Sequence, residues 1–476
     1  MAFAPCIGLE VHAELDTESK MFCRCRAEFG AEPNSRCCPV CLGLPGSLPV
    51  PNKKAVEYVM RTGLALGCQV AERCRFARKN YFYPDLPKNF QISQYEEPLT
   101  YGGHIDLEVN GQPKHIRIRR AHLEEDTGKN IHLPDGRSLV DYNRCGIPLM
   151  EIVTEPDFTS GVECREYLTE LRSILRYLQV STANMEEGVM RAEPTVNLID
   201  EASGEATPRV EIKNLNSIRS VHDAVEYEIQ RQRRCLQTGE QMYQETRLWD
   251  EERHVTATMR LKESADDYMY FPEPDLVPLA PEPEWVASIQ ASMPALPVAV
   301  RRRLIEEHGL PKYDAGVITA DRETAEYYEK TVAAGADPKA ASNWVMGPVL
   351  AYMNKHNVPI KDISVDPMGS AGLLASVDSG AISSNTAKEV FEESATTGML
   401  AQGIIDQRGL QQISDEDRLA ELIEEAIASN PSAVEDFKSG KEKAIGALVG
   451  YIMGQTKGQA NPQLVNQMLR EKLTEM

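Results

Sequence analysis

Ile7-Gly8-Leu9-Glu10-Val11-His12 alternates apolar and polar positions, which predicts an extended strand. Glu10 and His12 then project from one face of it. The strand therefore offers a hard oxygen and nitrogen donor pair. A soft set follows: Cys23, Cys25, Cys38 and Cys41 read C-x-C-x12-C-x2-C, the spacing of a closed thiolate zinc site. Separating the two sets assigns one metal to chemistry and the other to structure.

The chain has 476 residues, which as a length prior means about three domains. Its hydrophobic fraction is 42%, enough for substantial cores. It contains no apolar run long enough to span a bilayer and no basic-then-apolar leader, so the expectation is a soluble cytoplasmic protein with no membrane attachment. Four of eleven cysteines have zinc spacing. Cys6, Cys68, Cys74, Cys145, Cys164 and Cys235 are scattered and read as core thiols. A net charge of −21 repels phosphate at long range, so nucleic-acid binding must rest on local patches, shape and divalent cations. The basic runs Lys114–Arg120, Arg231–Arg234 and Arg301–Arg303 read individually as solvated faces.

Residues 1–292 read as α+β. Ile105, Leu107 and Val109 alternate, Asn110-Gly111 offers a turn, and Ile116 and Ile118 alternate again. This is a hairpin whose loop looks longer than two residues. Leu168, Leu171, Ile174, Leu175 and Leu178 form one helical stripe. Pro278 to Trp285 marks a domain edge, extended by Pro294 and Pro297, and the chain beyond it is mostly helical. A helix over 415–429 has Ser414 as its N-cap, and Asn430-Pro431 opens another. Gly446, Gly450, Gly454 and Gly458 recur every fourth residue, which permits close helix packing and also weakens the helix.

Three polar groups carry possible chemistry: Glu10 with His12; Glu124, Glu125, Asp126 and Lys129; and Asp141, Asn143, Arg144 and Glu151. Glu151 lies in the apolar run Leu149-Met150-Glu151-Ile152-Val153, where an unpaired carboxylate is costly. Glu10, His12, Glu125 and Glu151 together suit Mg²⁺ or Mn²⁺; taken singly, each reads equally well as an ordinary ion pair. From Arg78 to Tyr95 the chain is aromatic and proline-rich without a period. It reads as a loop able to stack a base and to offer Lys79 and Lys88 to phosphate. Tyr268, Tyr270 and Phe271 form a similar segment. No P-loop is present.

These segments have a precedent. I-G-L-E-V-H, R-K-N-Y-F-Y-P-D-L-P-K, Q-I-S-Q-Y, H-L-E-E-D-T-G-K, E-I-K-N-L-N-S, Q-E-T-R and F-P-E-P-D-L, in this order, resemble the B subunits of glutamine-dependent aspartyl/glutamyl-tRNA amidotransferases. The similarity continues through Ser342–Gly347 to the C-terminal K-G-Q-A-N-P-Q-L-V-N. The resemblance implies an antiparallel-sheet cradle catalytic domain over 1–292, a helical domain over 293–405 and a tRNA-contacting helical tail over 406–476. It implies a heterotrimer completed by an amidase (the A subunit) and a small stabilising chain (the C subunit). It also implies ATP-dependent activation of the side-chain carboxyl of a misacylated tRNA, followed by transfer of ammonia. On that reading Glu10, His12, Glu125 and Glu151 hold Mg²⁺, with Glu124 beside them, while Lys79 and Lys88 meet phosphate or the transferred group. The four cysteines hold structural Zn²⁺. Arg191–Asn197 reads R-A-E-P-T-V-N where the family commonly has R-C-D-A-N-V-S, and Met269 stands where it often has arginine. The alternative is a zinc-stabilised tRNA-binding module without its own chemistry, which would have no use for the acidic cluster.

Overall fold

The computed structural model describes residues 3–261, 268–410, 416–439, 441–456 and 460–475. The first strand, β1 (Phe3–Glu14), buries Ile7, Leu9, Val11 and Ala13 on one side, as its alternation predicts. The remaining strands are β2 (Gln69–Val70), β3 (Ala77–Asn80), β4 (Phe90–Ser93), β5 (Thr100–Val109), β6 (Gln112–Glu125), β7 (Lys129–His132), β8 (Ser138–Asp141), β9 (Pro148–Thr154), β10 (Met190–Asp200), β11 (Val210–Lys213), β12 (Glu245–Asp250), β13 (Val255–Leu261) and β14 (Met269–Pro272). Nine of them form one sheet in the order β13-β12-β11-β10-β1-β9-β6-β5-β2. All its pairings are antiparallel except β11 with β12. Parallel neighbours need a crossover, and helix α3 (Ile218–Thr238) supplies it. The fold is α+β, with β1 central.

One face of the sheet is covered by α1 (Lys53–Ala65), α2 (Gly161–Tyr177) and α3. The stripe Leu168, Leu171, Ile174 and Leu175 of α2 is buried in this core with Ile116, Ile118 and Leu123 of β6. Each such large side chain contributes roughly 1.5–3 kcal/mol on burial. The Asn52 side chain accepts the Lys54 and Ala55 amides at the start of α1, and Ser160 caps α2 through the Glu163 amide. The opposite face of the sheet carries the polar residues considered below.

Two expectations change here. The β5–β6 loop contains only Asn110 and Gly111, because Val109 pairs with Gln112. Both turn residues have positive φ, 52° and 76°, as a tight hairpin turn demands. The aromatic segment 78–95 is not a loop throughout. β3 and β4 pair within it, and β14 adds to β3, giving a separate three-stranded sheet. Arg78 clamps it with two hydrogen bonds to Glu273, at 2.7 and 3.0 Å, and stacks 4.1 Å from the Phe90 centroid. The basic runs are largely neutralised in place: Lys114 pairs with Glu163, Arg117 with Asp157, Arg119 with Glu155, Arg231 with Glu228 and Arg303 with Glu329.

The chain divides into two compact units, Met1–Pro297 and Val298–Met476. Helix α4 (Pro283–Ala291) packs on α1, with Lys53 Nζ 5.0 Å from the Trp285 ring, so the proline-rich segment belongs to the first unit. The second unit is helical in its described residues. Its last part has a small core of Leu419, Ile423, Leu448, Ile452, Val465 and Leu469. Pro431 opens helix Pro431–Lys438, as expected. Helix Glu416–Ser429 forms too, whereas Ser414 lies outside the described residues. Helix Ile445–Gln455 carries Gly446, Gly450 and Gly454, but among the described residues a Cβ at each would meet nothing within 4 Å. The close packing that the spacing permits is not used at these three glycines among the described residues; Gly458 lies outside them. Gly446→Ala and Gly450→Ala should each stabilise the helix by about 0.5–1 kcal/mol. Amide hydrogen exchange across 445–455 should slow; unchanged or faster exchange would show that the glycines are needed.

Candidate active site

Sheet register builds the site. His12 of β1 lies opposite Arg191 of β10 and Glu151 of β9, and Glu151 in turn lies opposite His122 of β6. Cross-strand partners share a face, so Arg191, His12, Glu151 and His122 form one row across four strands. Glu124 stands two residues along β6 and Glu10 two residues along β1, both on the same face. His12 Nε2 is 3.4 Å from Glu124 and 3.8 Å from Glu151, while His122 Nε2 is 3.2 Å from Glu151. Donor atoms of His12, Glu124 and Glu151 lie within 4.8 Å of one another. They stand in a cavity of about 550 Å³ that Glu10, Lys79, Glu193 and Lys213 also line.

The electrostatics are those of a dense, mutually compensated cluster. Burial opposes the His12 charge, but the Glu124 hydrogen bond and the nearby Glu151 carboxylate lift its pKa to about 9. Burial also opposes ionisation of Glu151, yet His122, His12 and Lys79 hold it well below the usual carboxylate range. Lys79 stays above the ordinary lysine value despite burial, through Glu124, Tyr270 and Glu151. Glu10 is pushed up to about 7 by desolvation and by Glu151. Two atoms of the cluster are left over: Glu124 Oε2 and His122 Nδ1 are buried and have no hydrogen-bond partner among the described residues. An orphaned carboxylate oxygen beside a second carboxylate and an imidazole fits a divalent cation.

The expected ligand quartet is therefore rearranged. Glu125 is not with Glu10, His12 and Glu151, because adjacent residues of a strand point to opposite faces. Glu125 is buried on the far side of β6, where it pairs with Lys88 and accepts the Ile92 amide at 2.9 Å. It thus pins β4 to β6, and Glu124 takes the place assigned to it. Lys88, expected beside phosphate with Lys79, sits with Glu125 instead of in the Lys79 cavity. It lines a separate cavity of about 170 Å³ with Glu125, Lys20 and Cys41. Glu10 lines the same cavity as His12 and Glu151 but lies outside the close triad. Sequence reading passed over His122 and Lys213. It also left Arg191, the partner of Asp126 at 2.7 Å, outside the site. Period-two spacing from Glu124 would have flagged His122.

The small sheet borders the same cavity. Lys79 Nζ lies 4.7 Å from the Tyr268 ring centroid, Tyr81 meets Tyr268 edge-on at 5.4 Å, and Tyr95 stacks on Tyr270 at 4.1 Å. Two aromatic segments far apart in sequence thus become one wall. Met269 points elsewhere, its side chain exposed and its backbone paired with Asn80. Within the Arg191–Asn197 run, Glu193 accepts Lys213 Nζ at 2.7 Å.

Residues 5–287 match the family of GatB/GatE catalytic domains, and residues 326–473 match a second model, the GatB domain. Full-length relatives agree. The chain is 51% identical to the B subunit of the aspartyl/glutamyl-tRNA(Asn/Gln) amidotransferase of Thermoanaerobacter pseudethanolicus, covering 100% of both chains. It is 50% identical to the protein of that name from Thermodesulfovibrio yellowstonii, again covering 100% of both. The chain belongs to the family of amidotransferase B subunits. It is accordingly a component of a ligase-type amidotransferase.

The four cysteines with zinc spacing do come together. Donor atoms of Cys23, Cys25, Cys38 and Cys41 come within 4.8 Å of one another. Cys41 Sγ accepts the Cys38 amide at 3.1 Å and stands 3.9 Å from Lys20 Nζ. Its pKa falls to about 5, chiefly through the Cys23 thiol. Cys37 turns aside, its Sγ 4.0 Å from Asn143 Oδ1. The set can hold a metal ion and is compatible with structural zinc. Of the scattered thiols, Cys68, Cys74, Cys145, Cys164 and Cys235 are buried as expected, whereas Cys6 is only half-buried. Atomic absorption should find about one zinc per chain, lost in Cys38→Ser and Cys41→Ser and retained in Cys37→Ser. Loss in Cys37→Ser alone would reassign the ligand set.

Proposed function

We propose that this chain uses ATP to activate the side-chain carboxyl of a misacylated Glu-tRNA(Gln) or Asp-tRNA(Asn), then passes ammonia to it to form the amide. The buried His12–Glu124–Glu151 group, with its orphaned Glu124 oxygen, carries this reading. A carboxylate is a poor acceptor for ammonia because its leaving group is poor. Bound ATP and Mg²⁺ would supply the phosphoryl group and charge neutralisation that convert it to an acyl phosphate.

The chain's own residues divide the work. His12, Glu124 and Glu151 would hold the cation on the floor of the cavity. Lys79, kept charged by its acidic neighbours, would stand against phosphate oxygens. Tyr268 and Tyr270 screen Lys79 and offer aromatic faces at the cavity wall. Ammonia attack expels phosphate and sheds a proton, so the net products are amide, ADP and phosphate. The thiolate centre supports the fold with Zn²⁺ and takes no part in the chemistry. Partners are the amidase, or A subunit, which releases ammonia from glutamine, and the small C subunit. The helical tail over 406–476, following a helical domain over 293–405, contacts tRNA. The assembly works in the cytoplasm.

The test is amide formation by the co-purified heterotrimer with misacylated tRNA, Mg²⁺ and ammonium, with and without ATP. Ammonium bypasses the amidase, so product only with ATP supports activation in this chain. Tight tRNA binding without ATP-dependent product would favour a binding module that leaves the chemistry to a partner. Glu124→Gln should lower the rate by about 100-fold and raise the Mg²⁺ needed for half-maximal rate. Glu125→Gln should leave that Mg²⁺ requirement unchanged.

A further inference from the structure

The β5–β6 hairpin carries three metal-ligating side chains that the amidation site does not use. His104 and Asp106 alternate on β5, and His115 of β6 lies directly opposite Asp106. All three share the outer face and all three are exposed. The two-residue turn at Asn110-Gly111 fixes this register; a one-residue slip would turn His115 to the core side.

The side chains converge. Asp106 Oδ1 is 2.7 Å from His115 Nδ1, and Asp106 Oδ2 is 3.6 Å from His104 Nε2. The two imidazoles lie 4.8 Å apart and are tilted by 31°. Donor atoms of the three residues fall within 4.8 Å of one another. Gly67 lies on the other side of the His104 ring. Its φ is +70°, and a Cβ there would meet the ring's Cε1 at 3.6 Å and Nδ1 at 3.7 Å. The Nδ1 edge of His104 is thus on the Gly67 side, and Nε2 faces Asp106.

We propose that His104, Asp106 and His115 form a surface binding site for a divalent transition-metal ion of the Zn²⁺ type. Two imidazoles and one carboxylate match the donor preference of Zn²⁺ and its neighbours, not that of Mg²⁺. Three protein ligands leave a fourth position for water. For His115 to ligate through Nδ1, its proton shifts through solvent to Nε2, with no change in charge. This site is separate from the thiolate centre and from the His12–Glu124–Glu151 group, and it stands whether or not the amidation reading holds.

The experiment is calorimetric titration of Zn²⁺ into the full chain, purified without a polyhistidine tag. The thiolate centre is loaded first with one equivalent of zinc, and millimolar Mg²⁺ is present throughout. Wild type should take up one further equivalent. His104→Gln/His115→Gln should weaken that uptake by at least ~10-fold, the cost of losing even an outer partner of a metal site. Asp106→Asn should weaken it as well and provides a second variant if the double one folds poorly. Zinc held by the cysteines, counted by atomic absorption after a desalting step, should not change. No further equivalent in wild type, or one that all these variants retain, would overturn the site and leave an ordinary Asp–His hydrogen bond beside a packed imidazole.

Discussion

Two carboxylates buried side by side constrain everything around them. Glu124 and Glu151 are almost wholly inaccessible, and each would be costly to ionise alone. The sheet answers with a row of partners: His12 between the two acids, His122 against Glu151, and Lys79 from the small sheet. The match is incomplete, since Glu124 Oε2 remains without a partner among the described residues. The cluster is thereby prepared for one more positive charge, as a site for a divalent cation is. The register of β10, β1, β9 and β6 fixes these positions, so the helices packed beneath the sheet support the chemistry indirectly.

Strand β6 also separates two tasks. Glu124 turns to the open face and Glu125 to the covered one, each with its own cation nearby. The Glu125–Lys88 pair ties β4 to β6 and so anchors the small sheet whose other strands bring Lys79 and the tyrosines to the cavity. A structural pair on one face thus positions a functional wall on the other. The high net negative charge fits this arrangement, since the local basic runs are largely consumed by ion pairs.

Much of this was readable before the structure. Period two placed Glu10 and His12 on one face, and cysteine spacing placed the thiolate centre, because both signals are local. The choice between Glu124 and Glu125 was not local. Alternation says that they oppose each other, but only the β6–β9 register, with its irregularity between Ile118 and Arg120, says which one meets Glu151. The small sheet was hidden for a similar reason, since β14 joins β3 from the far end of the first unit. Spacing alone left the role of the C-terminal glycines open: it cannot say whether a neighbouring helix uses them, and among the described residues none approaches them closely.

The central claim is that the open face of β6 holds the catalytic cation. The most direct measurement is anomalous scattering from crystals of the assembled enzyme grown with Mn²⁺ in place of Mg²⁺. The account predicts a manganese peak bounded by His12, Glu124 and Glu151. A peak on Glu125, or none at the triad with Mn²⁺ supporting activity, would contradict it.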